Sequence, residues 1–370
     1  MIDFVPLQYY TWVYYWLMAC LCMATGIYYL TDYGCRKLLT QNSGVFAFIL
    51  CAILTVYVGL RPISGRYFVD MKMYAHSYRY DLWGENLTLF DVRKEWFFAY
   101  VMKFCKISFN NVYVWFLVID IFYFGCQLWA CKKLLKENAW MAIMFVFFSY
   151  QFYTFGVNGL RNGMACALMM LAIAYWADRD IKGYLIGFFI FLLALGCHRS
   201  TALPMAALFV STFIIKDIRT AILIWVGCIF ASLLAGGVFQ AFVSSIGFDD
   251  RMASYSSAAM NQFSHTGFRW DFLLYSSMPV LLAGYIRSRN IQDRTFSLLA
   301  NTYIIANSFW VLICRVAFSN RFAYLSWFLY ALVLAYGVIR VPVWKDQDRM
   351  AGWVLLAHTA FTFGMFFIGK

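Results

Sequence analysis

Arginine, histidine and asparagine residues recur in this 370-residue sequence where long apolar stretches end. The planar guanidinium group of arginine binds phosphate oxygens through two parallel hydrogen bonds and keeps its charge in a dry site. A neutral imidazole, such as that of His198, can take a proton from a hydroxyl group. These residue types therefore indicate chemistry on an anionic, phosphate-bearing ligand.

Four polar groups of this kind lie between or just beyond apolar stretches. They are Arg61, Arg66, Asp70 and Tyr74; Asn158 to Gly163, with Arg161; His198-Arg199-Ser200; and Arg315 with Asn320-Arg321. Asn158, Arg161 and Asn162 have the i, i+3, i+4 spacing of one helical face. Asp70 is a second candidate, after His198, for the proton acceptor. For any single arginine, anchoring to lipid head groups is the alternative interpretation.

The composition predicts an all-α, polytopic integral membrane protein. Hydrophobic residues make up 63% of the chain and charged residues 13%, about half the roughly 25% charged residues of soluble domains. A crossing helix needs about 20 apolar residues, and twelve stretches are candidates. They are 8–30, 44–60, 112–131, 139–155, 164–177, 183–197, 201–215, 221–243, 272–286, 296–314, 322–339 and 352–368. We therefore expect one transmembrane domain over 1–370.

The distribution of lysine and arginine predicts the orientation of the chain. Short loops after the first, third, fifth, seventh, ninth and eleventh stretches are basic, which is typical of cytoplasmic loops. The four polar groups and the long loops near 61–111 and 244–270 are then outside. Within the first of these loops, 96–106 is apolar but too short to cross, so an interfacial helix is expected. Asp120 lies mid-stretch, where pairing with a polar neighbour is favoured over a proton relay.

Several other classes of site are not indicated by the sequence. The net charge is +12, but the basic residues are scattered between apolar stretches, so a nucleic-acid partner is not expected. The chain lacks a CxxC motif and its four histidines are far apart, so neither a metal site nor another cofactor is expected. The first apolar stretch has no basic leader and is too long for a cleavable signal peptide.

At these polar groups the chain resembles the EpsG-like branch of the Wzy-type exopolysaccharide and O-antigen polymerases. The residues that carry the resemblance are Gly59-Leu60-Arg61 with Gly65, Asp70 and Tyr74; Asn158, Leu160-Arg161 and Ala165; His198-Arg199-Ser200; and Asn320-Arg321-Phe322. Their order and spacing extend over nearly the whole chain.

The resemblance implies a glycosyltransferase of GT-C-like architecture at the outer face of the bacterial inner membrane. Such an enzyme moves a growing glycan from a polyprenyl (undecaprenyl) pyrophosphate carrier onto another lipid-linked repeat unit, without a nucleotide sugar. Membrane lipid is a partner, and a chain-length regulator protein could be another. We expect Arg161 and Arg321 to bind pyrophosphate, supported by Arg61, Arg66 and Arg199. Tyr74, Asn158 and Asn320 complete the expected substrate-binding set, while His198 or Asp70 activates the acceptor hydroxyl.

Three alternative functions remain open on the sequence. An O-antigen ligase would use the same donor with a different acceptor. A transporter or flippase of lipid-linked sugars would carry its polar groups near mid-membrane, often on broken helices in paired repeats. A membrane acyltransferase would need a catalytic histidine, but the arginine-rich ends of the stretches fit it poorly.

Overall fold

The computed structural model describes residues 1–31, 39–80, 95–245, 267–315 and 319–368, and every longer element in them is an α-helix. We number the helices α1 to α15 within these ranges. They are α1 (Leu7–Tyr29), α2 (Ser43–Gly59), α3 (Val69–Tyr80), α4 (Trp96–Phe109), α5 (Val112–Leu135), α6 (Ala139–Phe147), α7 (Phe152–Val157), α8 (Leu160–Trp176), α9 (Ile181–Cys197), α10 (Ala202–Phe213), α11 (Ile218–Ser245), α12 (Trp270–Ser288), α13 (Arg294–Leu312), α14 (Ser319–Arg340) and α15 (Gln347–Ile368).

Within the described ranges, five helical stretches are long and apolar enough to cross a membrane. They are Val112–Phe147, Ile218–Ala235, Arg294–Leu312, Ser319–Arg340 and Gln347–Phe367, and the shorter helices α2, α8 and α9 are also apolar. The prediction of an all-helical membrane protein is therefore confirmed. The number of crossings and the GT-C-like arrangement stay predictions.

The chain divides into two compact units. The first contains Met1–Arg199, Val338–Arg340 and Trp344–Lys370, and the second contains Ser200–Gly337 with Val341–Val343. In the first unit, α8 packs on both α5 and α9, α2 packs on α5, and α1 packs on α15. In the second unit, α13 packs on α10, α11 and α12. The expected single transmembrane domain stays a prediction.

The prediction of one continuous helix over 139–155 is wrong, because this stretch breaks between α6 and α7. Gln151 has a left-handed backbone, with φ at +68°. Such a break leaves backbone carbonyls without their helical partners. The Tyr14 hydroxyl donates to Phe147 O at 2.5 Å, and the Tyr123 hydroxyl donates to Phe152 O at 2.8 Å. Side chains of neighbouring helices thus donate to backbone carbonyls on both sides of a buried break.

The two long outer loops are described only in part. The loop near 61–111 contains α3, a helix that the sequence analysis did not predict, and α4, which begins at Trp96 as expected for the interfacial helix. Residues 81–94 of this loop, and 246–266 of the loop near 244–270, lie outside the described residues. So do Arg36 and Lys37, on which the orientation of the first stretch depends.

Candidate functional site

Two packed helices in the first unit bring His198 beside the start of α4. His198 directly follows α9, and Glu95 directly precedes α4. Gly196 allows this close approach, since a Cβ atom there would lie 2.6 Å from Cε2 of Trp96. The glycine in the last turn of α9 therefore lets the start of α4 pack closely against that turn.

A carboxylate bridges two of the residues predicted from the sequence. Glu95 Oε2 accepts a hydrogen bond from Nη1 of Arg161, in the first turn of α8. The other oxygen, Oε1, lies 3.5 Å from His198 Nδ1. Arg161 Nε is 3.4 Å from the hydroxyl oxygen of Tyr74 on α3. Four segments distant in sequence thus form one group, which we call the Glu95 cluster: Tyr74, Glu95, Arg161 and His198.

The Glu95 cluster is only partly shielded from its surroundings. The side chains of Glu95, Arg161 and His198 retain 14%, 29% and 22% of their exposure. A ligand can therefore reach the Arg161 guanidinium, while the Glu95 carboxylate that pairs with it is more buried. Charge-assisted hydrogen bonds between guanidinium and carboxylate or phosphate are among the stronger ones in proteins, so the arrangement suits an anion with several oxygens.

Arg61 lies instead in a fully buried ion pair with Asp120. Both side chains have 0% exposure, and Arg61 Nη1 is 3.0 Å from Asp120 Oδ2. The same guanidinium donates to Val58 O at 2.5 Å and to Val157 O at 2.9 Å. The expectation that Asp120 pairs with a polar neighbour is confirmed. Because Val157 ends α7, the pair also fixes the backbone just before the turn that leads to Arg161.

We expect Asp120→Ala to lower the free energy of unfolding by roughly 3–5 kcal/mol, because Arg61 would stay buried without its counter-charge. Unfolding of the purified protein in detergent measures this loss. The double variant Arg61→Met with Asp120→Ala should recover part of it.

Asp178→Ala is the matched control for this prediction, because it removes a carboxylate from an exposed pair with Lys133 at 2.6 Å. Its expected loss is at most about 1 kcal/mol. Equal losses in the two single variants would contradict the importance of burial for the Arg61–Asp120 pair.

The other predicted residues of the first unit differ in position and burial. Asp70 is half-buried in the first turn of α3, one helical turn before Tyr74. Asn158 lies between α7 and α8, and its Oδ1 atom is buried without a hydrogen-bond partner among the described residues. Arg66 and Arg199 are exposed, and Arg66 lies over the Tyr67 ring at 5.5 Å.

Asn320 and Arg321 belong to the second unit, where both are half-buried in the first turn of α14. Arg315 of the same unit lies 5.8 Å from the ring centroid of Phe268, and its Nη2 atom is 3.4 Å from Leu233 O. These positions agree with the expected location of the fourth polar group at the junction before α14.

A model of the EpsG family matches residues 44–369, which is most of the chain. The chain belongs to the EpsG family. No curated protein and no solved structure matches it. Family membership and the apolar helices together indicate a membrane protein of exopolysaccharide biosynthesis.

Glu95 is the residue of the cluster that the sequence analysis missed. It follows a polar loop and precedes the apolar segment that begins at Trp96. An acidic residue at this position is typical of a helix start, so it gave no separate signal of a site. A left-handed backbone at a residue other than glycine, here with φ at +52°, is a structural feature that often accompanies function.

In the part of the chain that the structure describes, no group of three or more His, Cys, Asp or Glu residues could hold a metal ion. The sequence analysis also expects no metal, so for the activity that the resemblance implies we predict that a chelator leaves turnover of lipid-linked substrate by the purified protein unchanged. If chelation abolished activity and Mg²⁺ restored it, carboxylates such as that of Asp70 would have to hold a cation over the pyrophosphate.

Proposed function

We propose that the chain is a polysaccharide polymerase, which joins oligosaccharide repeat units carried on polyprenyl (undecaprenyl) pyrophosphate. The proposal places the reaction at the outer, periplasmic face of the bacterial inner membrane. The single observation that supports it most is the Glu95 cluster, where an accessible guanidinium lies beside an imidazole with a carboxylate partner. Family membership supports the link to exopolysaccharide.

In the proposed reaction, His198 takes the proton from a hydroxyl group of the acceptor sugar. The hydroxyl oxygen attacks the anomeric carbon of the donor glycan and forms the new glycosidic bond. The bond between that carbon and the pyrophosphate oxygen breaks, and its electron pair leaves with the polyprenyl pyrophosphate. Arg161 binds this leaving group and offsets its growing negative charge. Arg66, Arg199, Tyr74 and Asn158 are the proposed supporting contacts. For Arg321 and Asn320, in the second unit, a role in binding the substrate is what the sequence resemblance implies.

We assign Arg61 a positioning role in this proposal, which differs from the direct contact expected from sequence. Its guanidinium is fully buried and engaged with Asp120, Val58 and Val157. Binding of pyrophosphate by Arg61 would require this ion pair to open, at the cost of an unpaired buried charge. Its effect on the reaction would therefore pass through the backbone that carries Arg161.

One observation favours a transporter as the second candidate function. The break between α6 and α7 divides a stretch that would otherwise cross the membrane, and transporters often bind substrates at such breaks. However, hydroxyl groups of Tyr14 and Tyr123 already occupy the carbonyls of Phe147 and Phe152. The break is therefore better explained as a packed structural feature.

Deletion of the gene, followed by analysis of the surface glycan, tests the proposed function. A polymerase predicts that single repeat units accumulate on lipid. A ligase would instead leave intact chains that are not attached to lipid A, and a flippase would remove repeat units from the outer face. Either of these two results would replace the polymerase proposal.

A further inference from the structure

The Glu95 carboxylate is shared unequally between its two neighbours. Its Oε2 atom is hydrogen-bonded to Arg161 Nη1, whereas its Oε1 atom lies 3.5 Å from His198 Nδ1. Hydrogen bonds from nitrogen to oxygen normally span about 2.7–3.2 Å. The structure therefore holds a full contact with the arginine and an incomplete one with the histidine.

Carboxylate and phosphate oxygens compete for the same hydrogen-bond donors on a guanidinium group. Glu95 occupies Nη1 of Arg161, and the Tyr74 hydroxyl lies beside Nε. A pyrophosphate that binds Arg161 from the accessible side would offer more negative charge than one carboxylate. The displaced carboxylate would still lie beside His198, whose Nδ1 atom is 3.5 Å from Oε1.

We propose that Glu95 is a positioning residue, whose carboxylate moves from Arg161 to His198 when a pyrophosphate oxygen takes its place on Arg161. This inference rests on the proposed function, because it requires a pyrophosphate at Arg161. Binding of the donor pyrophosphate at Arg161 would thereby place the carboxylate on His198, so that the histidine acts as a base only when the donor is bound. A carboxylate on Nδ1 keeps a proton on that atom and the lone pair on Nε2, and it stabilises the imidazolium formed after proton transfer.

The charges around His198 are suited to such an exchange. Helices α8 and α4 both pack against α9. From them, Arg161 and Glu95 face the imidazole end of α9, while Lys103 and Lys106 lie two to three turns further along α4. Arg199 follows His198 in the chain and is exposed. While Glu95 is held by Arg161, only its Oε1 atom lies near the ring, 3.5 Å from Nδ1, and the exchange would bring the whole carboxylate onto His198.

The backbone at Glu95 has a left-handed conformation, which is uncommon for a residue with a side chain. A left-handed conformation costs a residue with a side chain of order 1–3 kcal/mol and persists only when the surroundings enforce it. Glu95 has this conformation directly before α4. The residue thus lies at the start of a helix with one carboxylate oxygen towards each of its two partners.

The test uses the full-length protein in detergent, with histidines labelled by ¹⁵N. The chain has four histidines, so His198→Gln assigns the ring signals of His198. Inorganic pyrophosphate and farnesyl pyrophosphate are the probes. Binding of either probe should shift the His198 signals towards the form protonated on Nδ1. In Glu95→Gln, this shift should disappear, while the probe binds several-fold more tightly because the competing charge is gone.

Turnover on lipid-linked repeats gives a second measurement. Glu95→Gln should slow polymerisation by about 10-fold or more, part of the roughly 10²–10⁴-fold that a positioned base supplies. Glu95→Asp keeps the charge and should polymerise faster than Glu95→Gln. The matched control, Glu137→Gln, removes a carboxylate from an exposed pair with Arg340 at 3.2 Å and should leave binding, spectrum and turnover unchanged.

The outcomes separate this inference from the proposed function. If pyrophosphate binds but the His198 signals of the unmodified protein do not move, or Glu95→Gln binds no more tightly, Glu95 is only a structural clamp on Arg161. If neither probe binds the unmodified protein, or if Arg161→Ala binds them equally well, the proposed pyrophosphate site itself is wrong.

Discussion

Arg161→Lys is expected to reduce polymerisation by about 10²–10³-fold, the loss typical when one donor to a developing oxyanion is removed. Lysine keeps the positive charge, but its ammonium group cannot make the two parallel hydrogen bonds of a guanidinium. The Glu95 cluster adds a second reason. Arg161 contacts both Glu95 and Tyr74, so one charged group connects α3, α4 and α8. Turnover of purified protein with lipid-linked repeats measures the effect.

Arg340→Lys is the matched control, because Arg340 also pairs with a glutamate, Glu137, at an exposed position outside the proposed site. It should polymerise normally. Each variant must first be shown to accumulate in the membrane at the normal level. Normal polymerisation by Arg161→Lys would mean that this arginine is a lipid anchor.

Arg321→Lys extends the test to the second unit. We expect a loss of similar size, since the sequence resemblance assigns Arg321, in the first turn of α14, the same role as Arg161. A loss in Arg161→Lys alone would mean that the role expected of Arg321 from the resemblance is wrong. Normal activity in both lysine variants would contradict the proposal that these arginines bind the donor pyrophosphate.

The positions of the polar groups could be predicted because they lie at the ends of apolar helices. The predicted stretch 183–197 ends where α9 ends, at Cys197, and His198 follows it as expected. Length and polarity decide such boundaries, and both are local properties of the chain. The same reasoning predicted that α4 begins at Trp96. Its end at Phe109, beyond the expected 106, follows from continued apolar sequence.

Two features could not be predicted from apolar length alone. Helix α3 spans twelve residues, with Asp70, Lys72 and Arg79 among them, so it lacks a long apolar stretch. The break after α6 contains no proline or glycine, and Ser149 and Gln151 are its polar residues. Its stability depends on Tyr14 and Tyr123, which come from distant parts of the chain. Tertiary contacts decide both cases.

The composition of the Glu95 cluster also depends on tertiary contacts. Arg161 and His198 carried a sequence signal because each lies in a short connection between apolar stretches. Glu95 carried none, since its partners are 66 and 103 positions away along the chain. The sequence could predict that Asp120 pairs with a polar residue, because a buried carboxylate needs a partner. The identity of that partner, Arg61, became clear only from the structure.

His198→Ala is expected to reduce turnover by roughly 10²–10⁴-fold, the contribution typical of a positioned general base. The position of the Glu95 carboxylate, 3.5 Å from Nδ1, favours His198 over Asp70 for this role, because a carboxylate bonded to Nδ1 would orient the ring and leave the lone pair on Nε2. Binding of donor lipid should persist in the variant. Turnover at saturating substrate, with donor binding measured separately, distinguishes a base from a phosphate ligand.

Asp70→Asn provides the decisive comparison. Asp70 lies one turn before Tyr74 on α3, so it is close enough in the fold to be tested as the alternative base. We expect Asp70→Asn to retain most of its turnover, because Tyr74 and not Asp70 makes the contact with Arg161. Weaker donor binding in His198→Ala, with turnover that recovers at high substrate, would make His198 a phosphate ligand. Normal turnover in His198→Ala, together with loss in Asp70→Asn, would transfer the role of base to Asp70.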